Sequence, residues 1–179
     1  MKILGEKRMH KGKFIKVLER DFLTKEGKKG KWELIERKDA VMIFALTKKK
    51  EVILEKIYRV PLKSFSLELP AGMLDKRGES KKKAARRELL EETGYLAKKL
   101  IFVKSAPFNP GLEKTELSLF FAPDVEYVGK KKTEDVEEIE IIKVPLKNFF
   151  EFLFKISSKI KVDLAIFAIL PLIAKKGLI

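Results

Sequence analysis

Two strongly apolar segments close to one another constrain the fold more than any other part of the chain. AVMIFAL (residues 40–46) and EVILEKIYRV (residues 51–60) are separated only by the short turn TKKK. Runs of this length, rich in β-branched residues and bounded by a turn, are typical of paired strands. They therefore predict a hairpin whose strands are largely buried.

The other segments alternate between strand and helix patterns. Near the N-terminus, KFIKVLERDFL and KWELIER flank the Gly/Lys turn TKEGKKGK and predict another hairpin. Residues 80–93 predict a helix, with Ser80 as its N-cap and Gly94 as its stop. The remaining segments favour four strands and then two closing helices: SFSLELPAG, KLIFVKSAPF, TELSLFFAPDVEYV, IEIIKV, LKNFFEFLFKI and VDLAIFAILPLIAKK. The order predicts a mixed α+β fold, with a small β region at residues 1–38 and the main domain at residues 39–179.

Composition limits the functions that fit this chain. The 179 residues carry a net charge of +14 and no cysteine, which excludes disulfides and thiolate metal sites and is compatible with the cytoplasm. The lysines form scattered clusters without the interleaved aromatics of a single-strand binding groove. We therefore expect a thermophile-like solvated surface that attracts anionic substrates, and no nucleic acid as main partner. The apolar run from Leu164 is too short to span a membrane.

Three glutamates share one face of the helix predicted at residues 80–93. Glu88, Glu91 and Glu92 are three and four residues apart, so their carboxylates repel one another unless a cation lies between them. Carboxylate oxygens are preferred ligands of Mg²⁺ and Mn²⁺. Arg87 can orient one carboxylate, and the backbone of the PAG turn at Ala71 can also reach a metal. The alternative is a solvated acidic helix, with Ala84, Ala85 and Leu89 facing inward in either case.

At these residues the sequence resembles the Nudix hydrolase family. The family box reads Gly, five residues, Glu, seven residues, then Arg-Glu-apolar-x-Glu-Glu-x-Gly-apolar. Its places are filled by Gly72, Glu79, Arg87, Glu88, Leu89, Glu91, Glu92, Gly94 and Tyr95, although six residues rather than five follow Gly72. The resemblance implies a Nudix fold, which is an α/β/α sandwich with a mixed sheet, plus the small N-terminal antiparallel β region. It also implies diphosphate hydrolysis with Mg²⁺, or Mn²⁺ in its place, held by Ala71, Glu88, Glu91 and Glu92.

Other segments resemble the ADP-ribose pyrophosphatase branch of the family. IYR followed by LELPAGMLD implies that Arg59 holds substrate phosphate. The loop NPGLEK matches the branch's Ser-Pro-Gly loop, with Asn109 in place of serine, and implies substrate contacts at Gly111 and Leu112.

The N-terminal hairpin matches the same branch, in which aromatic residues from two subunits of a homodimer sandwich the adenine. The resemblance places Phe14 and Trp32 in that role, with Glu33 near the adenine and Arg37 near the diphosphate. The alternative is that Phe14 and Trp32 form the core of a small sheet. A tryptophan between Lys31 and Glu33 favours a partly exposed ring that can stack.

The general base in this branch lies on an acidic loop beyond the box. KTEDVEE resembles that loop, and alignment from Pro145 backwards implies that Glu137 is the base. Glu134, Asp135 and Glu138 are its rivals. A base on a loop fits a lid that closes over the substrate.

The expected activity is metal-dependent hydrolysis of ADP-ribose, or of a related nucleoside diphosphate sugar, by a cytoplasmic homodimer. ADP-ribose would give AMP and ribose 5-phosphate, with Glu137, Glu91 and Arg87 as catalytic residues. GDP-mannose and dinucleoside polyphosphates are alternative substrates. A non-catalytic or RNA-binding Nudix module is a further alternative, which the intact Glu88, Glu91 and Glu92 and the scattered lysines disfavour.

Overall fold

The computed structural model describes residues 1–129 and 138–179, which divide into two compact units. Met1–Ala40 and Ser105–Leu117 form the first unit. Val41–Lys104 and Ser118–Ile179 form the second. The first unit thus combines the N-terminal segment with the loop NPGLEK, which the predicted division at residue 38 leaves in the main domain.

A three-stranded antiparallel sheet forms the body of the first unit, in the order β1-β2-β3. Its strands are β1 (Lys2–Lys11), β2 (Lys16–Leu23) and β3 (Lys29–Glu36). The predicted hairpin is β2 and β3, and its turn places Gly27 at a φ of 79°, where glycine is favoured. Strand β1 was not specifically predicted because nearly all of its side chains are exposed, so no apolar alternation marks it.

The buried hairpin predicted around TKKK is confirmed in the second unit. Strand β4 (Ala40–Thr47) is followed by β5 (Glu51–Arg59), and residues 41–46 and 52–54 are all at most 3% exposed. Such burial on both faces explains why these strands are continuous apolar runs rather than alternating patterns.

The larger sheet in the described residues is built around this hairpin in the order β12-β6-β5-β4-β10-β8. Strand β11 pairs with β5, β7 with β4 and β9 with β10. Because β12 runs parallel to β6 while β5 is antiparallel to β6 and β11, the sheet is mixed, as predicted. The added strands are β6 (Ser64–Glu68), β7 (Ala71–Met73), β8 (Tyr95–Leu96), β9 (Ile101–Pro107), β10 (Glu116–Tyr127), β11 (Ile139–Pro145) and β12 (Lys161–Val162).

Three α-helices are present in the described residues: α1 (Lys81–Thr93), α2 (Phe149–Ser157) and α3 (Leu164–Lys175). The predicted ends of α1 are confirmed, since the Ser80 side chain accepts the Lys83 N–H and Gly94 closes the helix at a φ of 74°. Helix α3 buries Ile166, Ile169, Leu170 and Ile173, in agreement with its prediction as a buried helix. Among the helices described, none has the length and apolarity needed to cross a bilayer.

Candidate active site

Helix α1 presents its glutamates next to the β7 backbone because Ala84, Ala85 and Leu89 fix its other face in the core. The Glu88 side chain of this helix packs directly on Gly72 of the strand. A Cβ added there would lie far inside van der Waals distance of the Glu88 carboxyl group. Glycine at position 72 therefore provides the space that the Glu88 carboxylate occupies.

Arg87 partly neutralises the carboxylates of this face. Its Nη1 donates to Glu88 Oε1 at 2.6 Å and to Glu91 Oε2 at 3.1 Å. Its Nε and Nη2 donate to the two oxygens of Glu79 at 3.0 and 2.8 Å. These bonds, that to Glu79 above all, raise the pKa of Arg87, so the guanidinium is a permanent charge. The predicted orienting role of Arg87 thus has a direct geometric basis.

The extra residue between Gly72 and Glu79 is accommodated in a turn. Glu79 N–H donates to the Lys76 carbonyl at 3.1 Å, and Gly78 has a φ of 75°, which suits a turn of this kind. Glu79 still reaches Arg87 through two hydrogen bonds, and its pKa is lowered chiefly by them. The insertion therefore leaves the Glu79–Arg87 pair intact.

The three predicted metal-binding glutamates lie in different surroundings. Burial raises the pKa of Glu88 more than Arg87 lowers it. The interactions present therefore do not fully offset the cost of burying the Glu88 carboxylate. Glu92 Oε2 accepts the backbone N–H of Ala71 at 3.1 Å, while Glu91 is one-third exposed. A cation would supply the missing compensation at Glu88, and the oxygen donors match the preference of Mg²⁺.

These carboxylates do not yet surround a common point. In residues 1–129 and 138–179, no group of three or more histidine or acidic side chains is arranged to hold an ion. Arg87 explains this for Glu88 and Glu91, whose oxygens turn towards its guanidinium. The donor set therefore fits Mg²⁺ by its chemistry, and binding requires these side chains to reorient.

Trp32 and the loop NPGLEK meet within the first unit. The indole Nε1–H of Trp32 donates to the Gly111 carbonyl at 3.0 Å, and the Ile35 N–H donates to the Leu112 carbonyl at 2.8 Å. Trp32 is 55% exposed and Phe14, in the β1–β2 turn, is 64% exposed. The alternative that these two rings form the core of the small sheet is therefore wrong. Both rings are exposed enough to stack on another ring.

Arg37 is held by a glutamate that the sequence analysis did not single out. Its Nε and Nη2 donate to Glu113 at 2.6 and 3.1 Å, and its guanidinium lies over the Phe108 ring. Burial opposes ionisation of Glu113, but the hydrogen bonds from Arg37 help to lower its pKa overall. The signal available in the sequence was an acidic residue next to the Pro-Gly turn of a lysine-rich chain.

Arg59 has a similar partner in the second unit. At the end of β5, its Nε and Nη2 donate to the two oxygens of Glu68 at 2.9 and 2.6 Å. The Glu68 side chain is 12% exposed whereas that of Arg59 is 41% exposed. This bidentate pair fixes the plane of a guanidinium that still has a solvent-facing edge.

Two predicted residues take no part in these groups of contacts. Glu33 is exposed on β3, opposite Glu19, and the Phe14 ring is contacted by the Lys13 ammonium at 4.9 Å. Glu137, Glu134 and Asp135 lie outside the described residues, and Glu138 is exposed just before β11. The role of Glu137 as base remains a prediction.

A family model described as NUDIX domain matches residues 36–160, and the chain belongs to the Nudix family. An ADP-ribose pyrophosphatase of Bacillus subtilis (strain 168) is 33% identical over 82% of this chain and 80% of its own length. An ADP-sugar pyrophosphatase of Mus musculus is 31% identical over 80% of this chain and 72% of its own. A crystal structure titled ADP compounds hydrolase matches with a TM-score of 0.76 and 26% identity, over 85% of this chain and 82% of that one.

These matches confirm the predicted Nudix fold, with its mixed sheet, its helices and the small antiparallel sheet. They also confirm that the protein is a Nudix pyrophosphohydrolase with ADP-ribose pyrophosphatases among its relatives. Nudix hydrolases generally use a divalent metal such as Mg²⁺.

Proposed function

We propose that this enzyme hydrolyses the diphosphate bond of ADP-ribose in the presence of Mg²⁺ and releases AMP and ribose 5-phosphate. The observation that carries the proposal is the α1 face, where Glu88 is packed against Gly72 with its charge incompletely compensated. The relatives named for ADP-ribose and ADP-sugar hydrolysis support the choice of substrate.

Ala71, Glu88, Glu91 and Glu92 are the proposed metal-binding residues. Bound Mg²⁺ would polarise the diphosphate and lower the pKa of water at the site. If Glu88 and Glu91 turned towards a bound ion, the two bonds from Arg87 to Glu79 would still hold the guanidinium in place. Gly72 leaves the space in which Glu88 can make that change.

The reaction requires a proton acceptor, and we assign that role to Glu137. Water attacks one phosphorus, the bond from that phosphorus to the bridging oxygen breaks, and a proton of the water passes to the Glu137 carboxylate. The leaving group departs as a phosphate monoester. Glu91 is the box residue that would replace Glu137 if the base lies on α1.

Substrate recognition is assigned to the aromatic and basic groups. The exposed Trp32 ring, held by its bond to Gly111, stacks on adenine. Arg37 and Arg59, each oriented by a bidentate glutamate, bind phosphate oxygens. Phe14, Glu33 and Leu112 complete the proposed contacts with the nucleotide.

The proposed enzyme is a homodimer whose residues 1–38 lie at the two-fold axis. Three observations support this: β1 is an edge strand, its side chains are almost all exposed, and Ile3, Leu4 and Met9 are among them. Exposed edges and apolar patches are typical of surfaces that pair with another chain. Light scattering at several concentrations should give twice the mass of the chain, and a monomer throughout would contradict the dimer. The cytoplasmic location stays a prediction.

A substrate panel tests the activity directly. ADP-ribose, ADP-glucose, GDP-mannose and a dinucleoside polyphosphate are incubated with Mg²⁺, with Mn²⁺ and with chelator, and the products are identified by mass. We expect AMP and ribose 5-phosphate from ADP-ribose with either metal and no product with chelator. Absence of cleavage of every ADP- and GDP-sugar with both metals would contradict the proposal.

A further inference from the structure

A cavity of about 760 Å³ lies in the second unit and contains none of the predicted site residues. Strands β5, β6 and β11, with Lys63, supply one part of its lining, and residues 156–161, from the end of α2 to the start of β12, supply the rest. Its lining combines exposed aromatic rings with several lysines. We propose that this cavity is a second binding site, for a mononucleotide.

Two aromatic rings form the apolar part of the cavity. Tyr58 and Phe65 face each other across β5 and β6, with ring centroids 5.4 Å apart in an edge-to-face arrangement. Tyr58 is 44% exposed and Phe65 is 38% exposed, so neither ring is covered by the core. The exposed parts of the two rings provide a surface on which a base can stack.

The charge of the lining is strongly positive. Lys56, Lys63, Lys159 and Lys161 line the cavity, and Glu140 is the acidic residue among its lining residues. Lys56 bonds to Glu140 at 2.7 Å and also lies over the Phe65 ring at 4.9 Å. The salt bridge uses one of the four positive charges, so three lysines remain to bind an anion at the cavity.

Hydroxyl groups add polar contacts at the same place. The Ser64 oxygen is shielded from solvent, so the hydroxyls that a ligand can reach are those of the exposed Ser157 and Ser158. The Ser157 and Ser158 hydroxyls donate to Phe154 and Lys155 carbonyls, which leaves their lone pairs available as acceptors.

A ligand that complements this lining has an aromatic ring for the two side-chain rings, hydroxyl or amine donors for the serines, and a phosphate for the lysines. A mononucleotide has each of these, and the cavity volume suits one nucleotide rather than a strand of several. Two rings on adjacent strands allow one base to stack, whereas a single-strand groove presents a series of them.

The test is a titration of the ¹⁵N-labelled protein with AMP, in the presence of chelator so that no turnover occurs. We expect saturable amide shifts at residues 156–161 as well as 56–67. The shifts at 156–161 decide the test, because Arg59 in the other range belongs to the proposed catalytic site. Inorganic phosphate and adenosine, each lacking one half of the ligand, should bind more weakly than AMP. Absence of shifts at residues 156–161, or equal affinity for AMP and inorganic phosphate, would overturn the proposal.

Substitutions inside and outside the cavity test which residues contribute to the binding of AMP. Lys159→Glu and Lys161→Glu should each weaken AMP binding at this site about tenfold, because each replaces an attraction by a repulsion. Lys99→Glu makes the same change of charge at an exposed lysine outside the cavity and should bind AMP as the unaltered protein does. Phe65→Leu should weaken AMP binding but leave phosphate binding unchanged.

Three results would contradict this assignment. One is equal weakening by Lys99→Glu, since the effect would then come from overall charge. Another is unchanged binding in both cavity variants, with amide spectra showing them folded. The third is a short oligonucleotide that binds the same residues more tightly than AMP by about the hundredfold expected of several stacked bases, since this would make the cavity part of a nucleic-acid surface.

Discussion

Helix α1 and the loop NPGLEK each contain glutamate bonded to an arginine, but the number of glutamates per arginine differs. Arg87 bonds to Glu79, Glu88 and Glu91. Lys76 also pairs with Glu91 at 3.6 Å, and the carboxylates still outnumber the cations on the helix face. Arg37 faces Glu113 in a single bidentate pair next to the exposed Trp32 ring. An excess of carboxylates suits cation binding and catalysis, whereas a balanced pair beside a ring suits recognition. We therefore expect substitutions on α1 to change turnover and those in the first unit to change the Michaelis constant.

The strongest test of this difference is to remove one charge from the α1 face. Glu88→Gln and Glu92→Gln should each lower kcat by at least about 10²-fold, because each removes stabilisation of charge in the transition state. The free energy of unfolding measured with denaturant should be unchanged or higher, because the carboxylates of the α1 face then repel one another less. Glu151→Gln, an exposed glutamate in the first turn of α2, is the matched control and should leave kcat unchanged. Near-normal kcat in both α1 variants would contradict the metal assignment.

The second test separates the base from the metal-binding residues. Glu137→Gln should lower kcat by about 10²-fold, as expected when a general base is lost, while Mn²⁺ affinity stays nearly unchanged. Glu134, Asp135 and Glu138 are replaced singly for comparison. Should Glu137→Gln remain active while replacement of Glu91 alone removes the pH dependence of kcat, the base lies on α1.

The sequence predicts α1 better than the first unit, because the interactions that define α1 join residues close together in the chain. Ser80, Gly94 and the buried Ala84 and Leu89 act within or next to one helix, so spacing alone predicts them correctly. The Arg37–Glu113 pair joins residues 76 positions apart, and no local pattern connects them. The edge strand β1 was missed because its exposed side chains carry no alternation. The sequence predicted that Arg87 orients one carboxylate, but not that it bonds to both Glu88 and Glu91, since those contacts depend on the three-dimensional structure.

Gly72→Ala tests whether the position of Glu88, rather than its charge, limits turnover. The added Cβ collides with the far end of the Glu88 side chain, which must move. A displacement of this size should lower kcat by about tenfold, with little loss of stability because a flexible side chain can shift. Gly5→Ala is the control, since a Cβ there meets nothing within 4 Å. Equal kcat values in the two variants would mean that the close contact at Gly72 is unrelated to catalysis.

Trp32→Ala tests the other side of the comparison. Loss of the exposed ring should raise the Michaelis constant for ADP-ribose about tenfold, with a smaller change in kcat, because the stacking is made in the ground state as well. Trp32→Phe keeps a ring but loses the bond to Gly111 and should give an intermediate value. A fall in kcat without a rise in the Michaelis constant would contradict the assignment of Trp32 to ground-state binding of the substrate.

The smallest expected effect concerns the stability of the Arg37–Glu113 pair. The lowered pKa of Glu113 means that the folded protein binds its proton less readily than the unfolded chain does. The pair therefore stabilises the fold fully above the unfolded value of about 4.3, and this contribution is lost as the pH falls through the lower folded value. Glu113→Gln should cost about 1 kcal/mol at pH 7, a modest amount because Arg37 is partly exposed.

Denaturant unfolding of both proteins between pH 7 and pH 2 measures this difference. Because the difference comes from ionisation of Glu113, it should shrink only in the acid range below the ordinary glutamate pKa. Glu33→Gln, at an exposed glutamate on β3, is the matched control and should not reproduce the loss at pH 7. A loss at pH 7 that persists unchanged to pH 2 would instead come from packing around Phe108 and Thr115. The Arg37–Glu113 pair would then stabilise the fold by packing rather than by charge. It would therefore differ from the charged face of α1 even more than the two sets of ion pairs indicate.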